Sequence, residues 1–242
     1  MIVSKTLIYH DAHQSYEGVI AFDEDIHQQR PAVLVAHTWM GITQFEIDKA
    51  IALARLGYVG FAIDMYGQGR RPGNAAQAGE MMHELTDNRA LLKERINLAL
   101  NVMKSEEMVD ESKTGAIGFC FGGKCVLDLA RSNADIKAVV SFHGILDSPI
   151  IPNPDTIDCG VLVLHGWDDP LATLTQLENF AREMTKRKAD WNIHAYGHTG
   201  HAFTNPNANR PGEGMFFQEK TNNRAWQSME LFFEEHFQAS KG

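Results

Sequence analysis

The chain has 242 residues, 44% of them hydrophobic, and 31 acidic against 22 basic side chains give a formal charge of -9. A chain this long buries about three quarters of its unfolded surface without disulfide staples, and its acidic balance offers no attraction to a phosphate backbone, which excludes nucleic acid as an expected partner. Three cysteines make no disulfide framework, no apolar run approaches the ~20 residues that span a bilayer, and the residues after Met1 lack a secretory apolar core. No membrane partner is therefore expected, and the expected compartment is a reducing cytoplasm.

Residues 6–10 and 16–22 alternate apolar and polar side chains, which predicts two half-exposed antiparallel strands leading into a sheet edge. From Pro31 the pattern changes. Continuous apolar runs at residues 32–36, 59–63, 114–118, 138–142 and 161–165 predict buried parallel strands, and a last strand is expected at about 192–196. Helical stretches separate them. Thr43 and Glu46 form a capping box, and Gly57 stops the helix that follows. Leu91, Leu92, Ile96, Leu98, Leu100 and Met103 recur at helical spacing, residues 174–188 carry a basic last turn, and Ala225, Trp226, Met229, Phe232, Phe233 and Phe237 mark a final amphipathic helix. The expected architecture is one α/β domain over residues 1–242, a mostly parallel central sheet with helices on both faces and an antiparallel N-terminal lead-in.

The loop from Asp64 to Asn74, glycine-rich at 67–73, lacks the Gly-Lys-Ser/Thr ending of a phosphate loop and is expected to be a long surface loop near a substrate mouth. No linker, repeat or compositional shift divides the chain, and nothing in it fixes an oligomeric state.

Chemistry concentrates at three places. The apolar run 114–118 enters Gly118-Phe119-Cys120-Phe121-Gly122-Gly123, and a helix begins with Val126, Leu127 and Leu129. This is the pattern of a nucleophile elbow, with cysteine at the apex. A strand-to-helix turn this sharp needs small residues two positions either side of the apex, which Gly118 and Gly122 supply. It lifts the Cys120 sulfur above the sheet and sets it at a helix N-terminus, where the dipole favours negative charge. Cys125 and Cys159 lack such a setting and are expected to be inert.

Asp169 lies just past the run 161–165, where parallel sheets place their sites, and Pro170 restricts its backbone. Its competitor Asp168 reads as a solvated turn residue or helix cap. His201, in the glycine-bearing loop after the last strand, is a better base than His198. The order nucleophile, acid, histidine is the one a nucleophile elbow requires. Backbone amides of Phe121 and Trp39 are the expected oxyanion donors. Candidate pocket residues are Thr38, Met40, Tyr66, Arg70, His143, Trp167 and Phe203.

At these residues the sequence resembles the dienelactone hydrolase family, from about residue 5 to 237. The marks are Gly-Phe-Cys-Phe-Gly-Gly at 118–123, Ser-Phe-His-Gly at 141–144 and His-Ala-Phe-Thr-Asn-Pro at 201–206. The resemblance implies a cofactor-free, metal-free Cys120–His201–Asp169 triad that opens lactones or cleaves esters, with a small-molecule ester or lactone as partner. It departs from the family where a glutamate is usual after the first parallel strand and Thr38 stands instead. The family's substrate-binding arginines have only loop candidates, Arg70, Arg71 and Arg210. Rival readings are a non-catalytic or redox-sensing binding protein on the same scaffold, and a metal-dependent hydrolase using His194, His198 and His201.

Overall fold

A computed structural model describes residues 1–238. The described residues divide into two compact units, one ending at Ile117 and the other starting at Gly118.

In the first unit, β1 (Ile2–His10) and β2 (Ser15–Asp23) pair antiparallel, from Ile2 opposite Asp23 to His10 opposite Ser15. β2 runs antiparallel to β4 (Val59–Ile63), which pairs parallel with β3 (Arg30–Ala36), Ala32 lying opposite Val59. β5 (Val109–Phe119) lies next to β3 and carries the chain into the second unit. All of β4 and the end of β3 are buried, as their unbroken apolar runs require. Each such Val, Leu or Ile contributes roughly 1.5–3 kcal/mol.

α1 (Gln44–Arg55) starts at the expected capping box and stops at Leu56, with Gly57 at a φ of 88°. α3 (Arg89–Lys104) buries Leu92, Ile96, Ala99, Leu100 and Met103. Two features depart from expectation. The stretch after β4 is not wholly a surface loop, because Asp64, Met65 and Tyr66 are buried and Asp64 Oδ1 accepts the amides of Tyr66 and Gly67 at 2.9 and 3.0 Å. An unexpected helix, α2 (Ala75–Thr86), then begins at an Asn74 cap. Only Ala78 and Leu85 of α2 are buried, so its apolar periodicity is faint.

In the second unit, β6 (Ala138–Phe142), β7 (Gly160–Gly166) and β8 (Asp190–Tyr196) run parallel, Ala138 opposite Gly160 and Gly160 opposite Asp190. β6 and β7 are buried throughout, and β8 is half exposed. α4 (Phe121–Arg131) starts directly after Cys120, five residues earlier than its apolar run suggests, and every residue of it is buried. Its charged side chains are matched: Lys124 meets Asp147 at 2.8 Å, and Arg131 meets Asp128 at 3.2 Å and Glu183 at 2.8 Å. Such pairing is what makes a buried guanidinium tolerable.

α5 (Leu174–Lys186) packs on β8 from a Thr173–Gln176 capping box, and α6 (Glu219–Gln238) packs on β6 and β7. Between β8 and α6 the chain forms a small hairpin that the sequence reading does not contain, β9 (Asn209–Arg210) and β10 (Met215–Phe216) around a 3-10 turn at Pro211–Glu213. The fold is α/β, mostly parallel, with an antiparallel lead-in and flanking helices. Among the described residues no helix is long and apolar enough to cross a membrane.

Candidate active site

The second unit holds Cys120, Asp169 and His201. Cys120 sits between β5 and α4 with φ 56° and ψ -114°, a left-handed backbone that a side-chain-bearing residue adopts only under strain. The bend closes tightly: a Cβ on Gly118 would lie 2.0 Å from the Gly122 carbonyl oxygen and 2.8 Å from the Gly123 amide nitrogen. The Cys120 amide donates to the Phe142 carbonyl at 3.1 Å, which ties the bend to the end of β6. Its side chain is half-buried at the head of α4, facing the positive end of the helix dipole. Cys125 and Cys159 are buried, and burial pushes the Cys159 thiol up to about 12.

Asp169 lies in the turn after β7, its amide donating to the Gly166 carbonyl at 3.1 Å. One carboxylate oxygen accepts the amides of Leu171 and Ala172 at 2.8 and 3.3 Å. The other accepts from His201 Nδ1 at 2.8 Å. Asp168 is exposed, and its amide donates to the Thr199 carbonyl at 2.9 Å. The cap of α5 is Thr173, not Asp168.

His201 is held by the β9–β10 hairpin. Its amide donates to the Gly214 carbonyl at 2.7 Å, and its carbonyl accepts the Phe216 amide at 3.2 Å. A Cβ on Gly200 would lie 2.2 Å from the Gly214 carbonyl oxygen, so the loop approaches the hairpin as closely as glycine allows. With Nδ1 committed to Asp169, the buried Nε2 meets no hydrogen-bonding oxygen or nitrogen among the described residues. The Cys120 sulfur is close enough to act on this imidazole. Burial alone would lower the His201 pKa. The charge and hydrogen-bonding pull of Cys120, with those of Asp169, outweigh it and raise the imidazole to about 10. A sulfur, an imidazole and a carboxylate in this order can move a proton away from the sulfur and stabilise the imidazolium that results.

Around His201 the unit gathers aromatic rings. His143 stands at 4.9 Å and 67° to the His201 ring, and Phe203 at 5.1 Å from His143. Trp167 is half exposed, whereas Phe203 is fully buried. His194 bonds Ser228 and is exposed, and His198 is exposed, its carbonyl accepting from Gln218. Neither joins His201, and among the described residues no three His, Cys, Asp or Glu side chains gather as metal ligands. Two neighbours escaped the sequence reading. His165, at the end of β7, is buried and feels the charges of Asp169 and His201, and Thr204 Oγ1 bonds His143. Thr204 lies inside the quoted 201–206 motif; His165 has only its position at a strand end as a signal.

The first unit holds the remaining candidates except Arg210. Thr38, Trp39 and Met40 occupy a turn closed by the Gly41 amide on the Thr38 carbonyl at 3.2 Å. Tyr66 is buried and donates to the Trp39 carbonyl at 2.8 Å. A buried carboxylate does return to this turn: Glu46, from α1, accepts the Thr38 amide at 3.1 Å and the Thr43 amide at 2.8 Å. Arg70 pairs with Glu84 at 2.6 Å and Arg71 with Asp64 at 3.4 Å. Arg210, in the second unit, pairs with Glu213 at 2.9 Å and is exposed.

Comparisons with known proteins agree with one another. The model of the dienelactone hydrolase family matches residues 17–237. A protein of Caenorhabditis elegans with no described function is 38% identical over 63% of this chain and 98% of its own length. A protein of Bradyrhizobium sp, named a probable 2-oxo-3-(5-oxofuran-2-ylidene)propanoate lactonase, is 29% identical over 72% of this chain and 73% of its own. The crystal structure of a dienelactone hydrolase-like promiscuous phosphotriesterase from metagenomic libraries matches with a TM-score of 0.93 and 32% identity, over 97% of this chain and 98% of that one.

Proposed function

The chain belongs to the dienelactone hydrolase family, and from that premise we propose that its reaction is cleavage of an ester or lactone by a Cys120–His201–Asp169 triad. It is a hydrolase of the lactone and ester class. The observation that carries the triad reading is the 2.8 Å bond from His201 Nδ1 to Asp169, which leaves Nε2 directed to chemistry beside a strained, half-buried Cys120.

In this reading the Cys120 sulfur, its proton held on His201, attacks the carbonyl carbon. The C–S bond forms and the carbonyl electrons move to oxygen, which the Phe121 amide at the head of α4 meets. Collapse of this intermediate breaks the C–O bond, and the leaving alkoxide takes the proton from His201. Water, deprotonated by His201, then attacks the thioester and releases the acid and the thiol. No cofactor enters any step. The three free cysteines fit a reducing compartment such as the cytoplasm.

The test is a panel of an activated aryl ester, unsaturated lactones and an aryl dialkyl phosphate, the last because a similar structure is a promiscuous phosphotriesterase. Wild type should show a burst with the aryl ester, and Cys120→Ala should lose turnover while keeping its circular dichroism. Turnover retained by Cys120→Ala would refute the triad.

A further inference from the structure

We infer that His143 is a positioning residue for His201, anchored by Thr204 and set in place by the same turn that holds the Cys120 amide. The inference rests on the triad reading above and adds to it a residue that fixes the geometry of the base.

Four observations converge. First, His143 follows β6 with a φ of 38°, a left-handed conformation for a residue with a side chain. Strain of this kind persists only where the surroundings impose it. Second, the surroundings do impose it. The Phe142 carbonyl accepts the Cys120 amide at 3.1 Å, and the His143 amide donates to the Leu164 carbonyl at 2.9 Å. A Cβ on Gly123 would lie 2.6 Å from the Gly144 Cα, and one on Gly144 would lie 2.1 Å from Ser141 Oγ. The His143 turn is pressed against the first turn of α4, so the imidazole is located relative to the nucleophile.

Third, the ring is 2% exposed and meets the His201 ring edge to face, with centroids 4.9 Å apart. Fourth, its Nε2 shares a 2.8 Å hydrogen bond with Thr204 Oγ1, itself buried and three residues beyond His201. Phe119, Phe142 and Phe203 surround this corner, so a hydrocarbon ring would satisfy packing alone. An imidazole adds a bond that fixes the rotation of the ring, and with it the edge on which His201 rests. Asp169 restrains His201 at Nδ1 alone, and a single bond leaves the imidazole free to tilt about it. His143 removes that freedom.

The experiment uses Thr204→Val, which deletes the anchor at nearly constant shape, and His143→Asn, which keeps a residue tolerant of left-handed backbone while removing the ring. Two readouts are taken: aryl ester turnover, and the pH profile of Cys120 alkylation by iodoacetamide, followed by mass mapping. In both variants kcat should fall about tenfold with KM within about twofold, the signature of misplaced chemistry and not of lost binding. The alkylation midpoint should move upward as His201 loses its hold beside the sulfur. Thr204→Val added to His143→Asn should have no further effect, since the anchor acts only through the ring.

Unchanged kcat and alkylation profile in folded Thr204→Val would overturn the inference, as would lost activity with an unmoved alkylation profile. Thr204→Val decides the matter alone if His143→Asn fails to fold. Ester turnover surviving in Cys120→Ala would defeat the triad reading instead, and the alkylation profiles would still report whether His143 sets His201 beside the sulfur.

Discussion

The carboxylate of Asp169 is shared between two tasks, one oxygen accepting the amides of Leu171 and Ala172 and the other accepting from His201 Nδ1 at 2.8 Å. The backbone bonds fix the rotation of the carboxylate, and the carboxylate fixes the tautomer of the imidazole. Asp169→Asn separates these tasks. The amide oxygen can still take the two backbone donors, but its NH2 group then faces Nδ1 and forces the proton onto Nε2. Ester turnover should fall by about three to four orders of magnitude, the scale found when a triad acid becomes its amide, with little change in urea midpoint.

Burial disfavours the His201 imidazolium, and the Cys120 charge is foremost among the influences that overcome it, raising the group to about 10. Cys120→Ser removes that charge and leaves the Asp169 bond in place. The His201 ring, followed by nitrogen-15 NMR, should therefore titrate near 10 in wild type and fall toward the ordinary value of about 6.5 in Cys120→Ser. A His201 titration that ignores the substitution would contradict the electrostatic link between the two residues.

Two glycines should separate folding from positioning. Gly118→Ala drives a Cβ to 2.0 Å from the Gly122 carbonyl oxygen, a backbone atom that cannot yield without unmaking the bend. It should lose several kcal/mol of stability in denaturant titration. Gly200→Ala meets the Gly214 carbonyl at 2.2 Å in a loop whose partner is a two-residue-stranded hairpin, which can shift. That variant should stay folded and lose about a hundredfold in kcat, because the displaced residue is the neighbour of His201.

His165 is buried, and neither ring nitrogen finds a hydrogen-bond partner among the described residues. Burial lowers its pKa, with Asp169 opposing and His201 reinforcing. A group depressed in the folded state binds its proton first in the unfolded chain, so its contribution to stability is present above about 6.5 and is lost as pH falls below that value. His37, buried in the first unit and lowered chiefly by desolvation, acts with the same sign. His201, raised to about 10, acts with the opposite sign, its contribution being lost as pH rises above about 6.5. The His165 share is therefore read as a difference: relative to wild type, His165→Leu should raise the urea midpoint more at pH 5.5 than at pH 7.5.

Much of the fold was readable because burial on both faces of a parallel strand leaves an unbroken apolar run. Residues 59–63 and 138–142 were located to the residue in this way. The Thr43–Glu46 capping box and Gly57 likewise state helix ends locally. What escaped reading lacks such a local statement. α2 buries only Ala78 and Leu85 and carries Gly79, so its period is weak and its clearest sign is the Asn74 cap. α4 begins at Phe121 because the bend at Cys120 ends in helical geometry, which the apolar spacing from Val126 onward does not reveal. The hairpin around Pro211–Glu213 has two-residue strands, too short for any alternation.

The site divides along the same line. Cys120, Asp169 and His201 announce themselves through residue type and position after strands. Thr204 and Glu46 do not, since their roles arise from contacts made only when separate segments meet. His165 is the polar residue that ends an apolar run, and its burial is a property of the folded state.

Because the backbone of His201 is clasped by Gly214 and Phe216, both on the β10 side of a short hairpin, its placement depends on that leg and not on the crest before it. The crest at Pro211–Glu213 is exposed. Length and composition there are thus uncoupled from the imidazole, and the crest is where a descendant of this chain could acquire an insert, or an engineer graft a peptide, while His201 stays put.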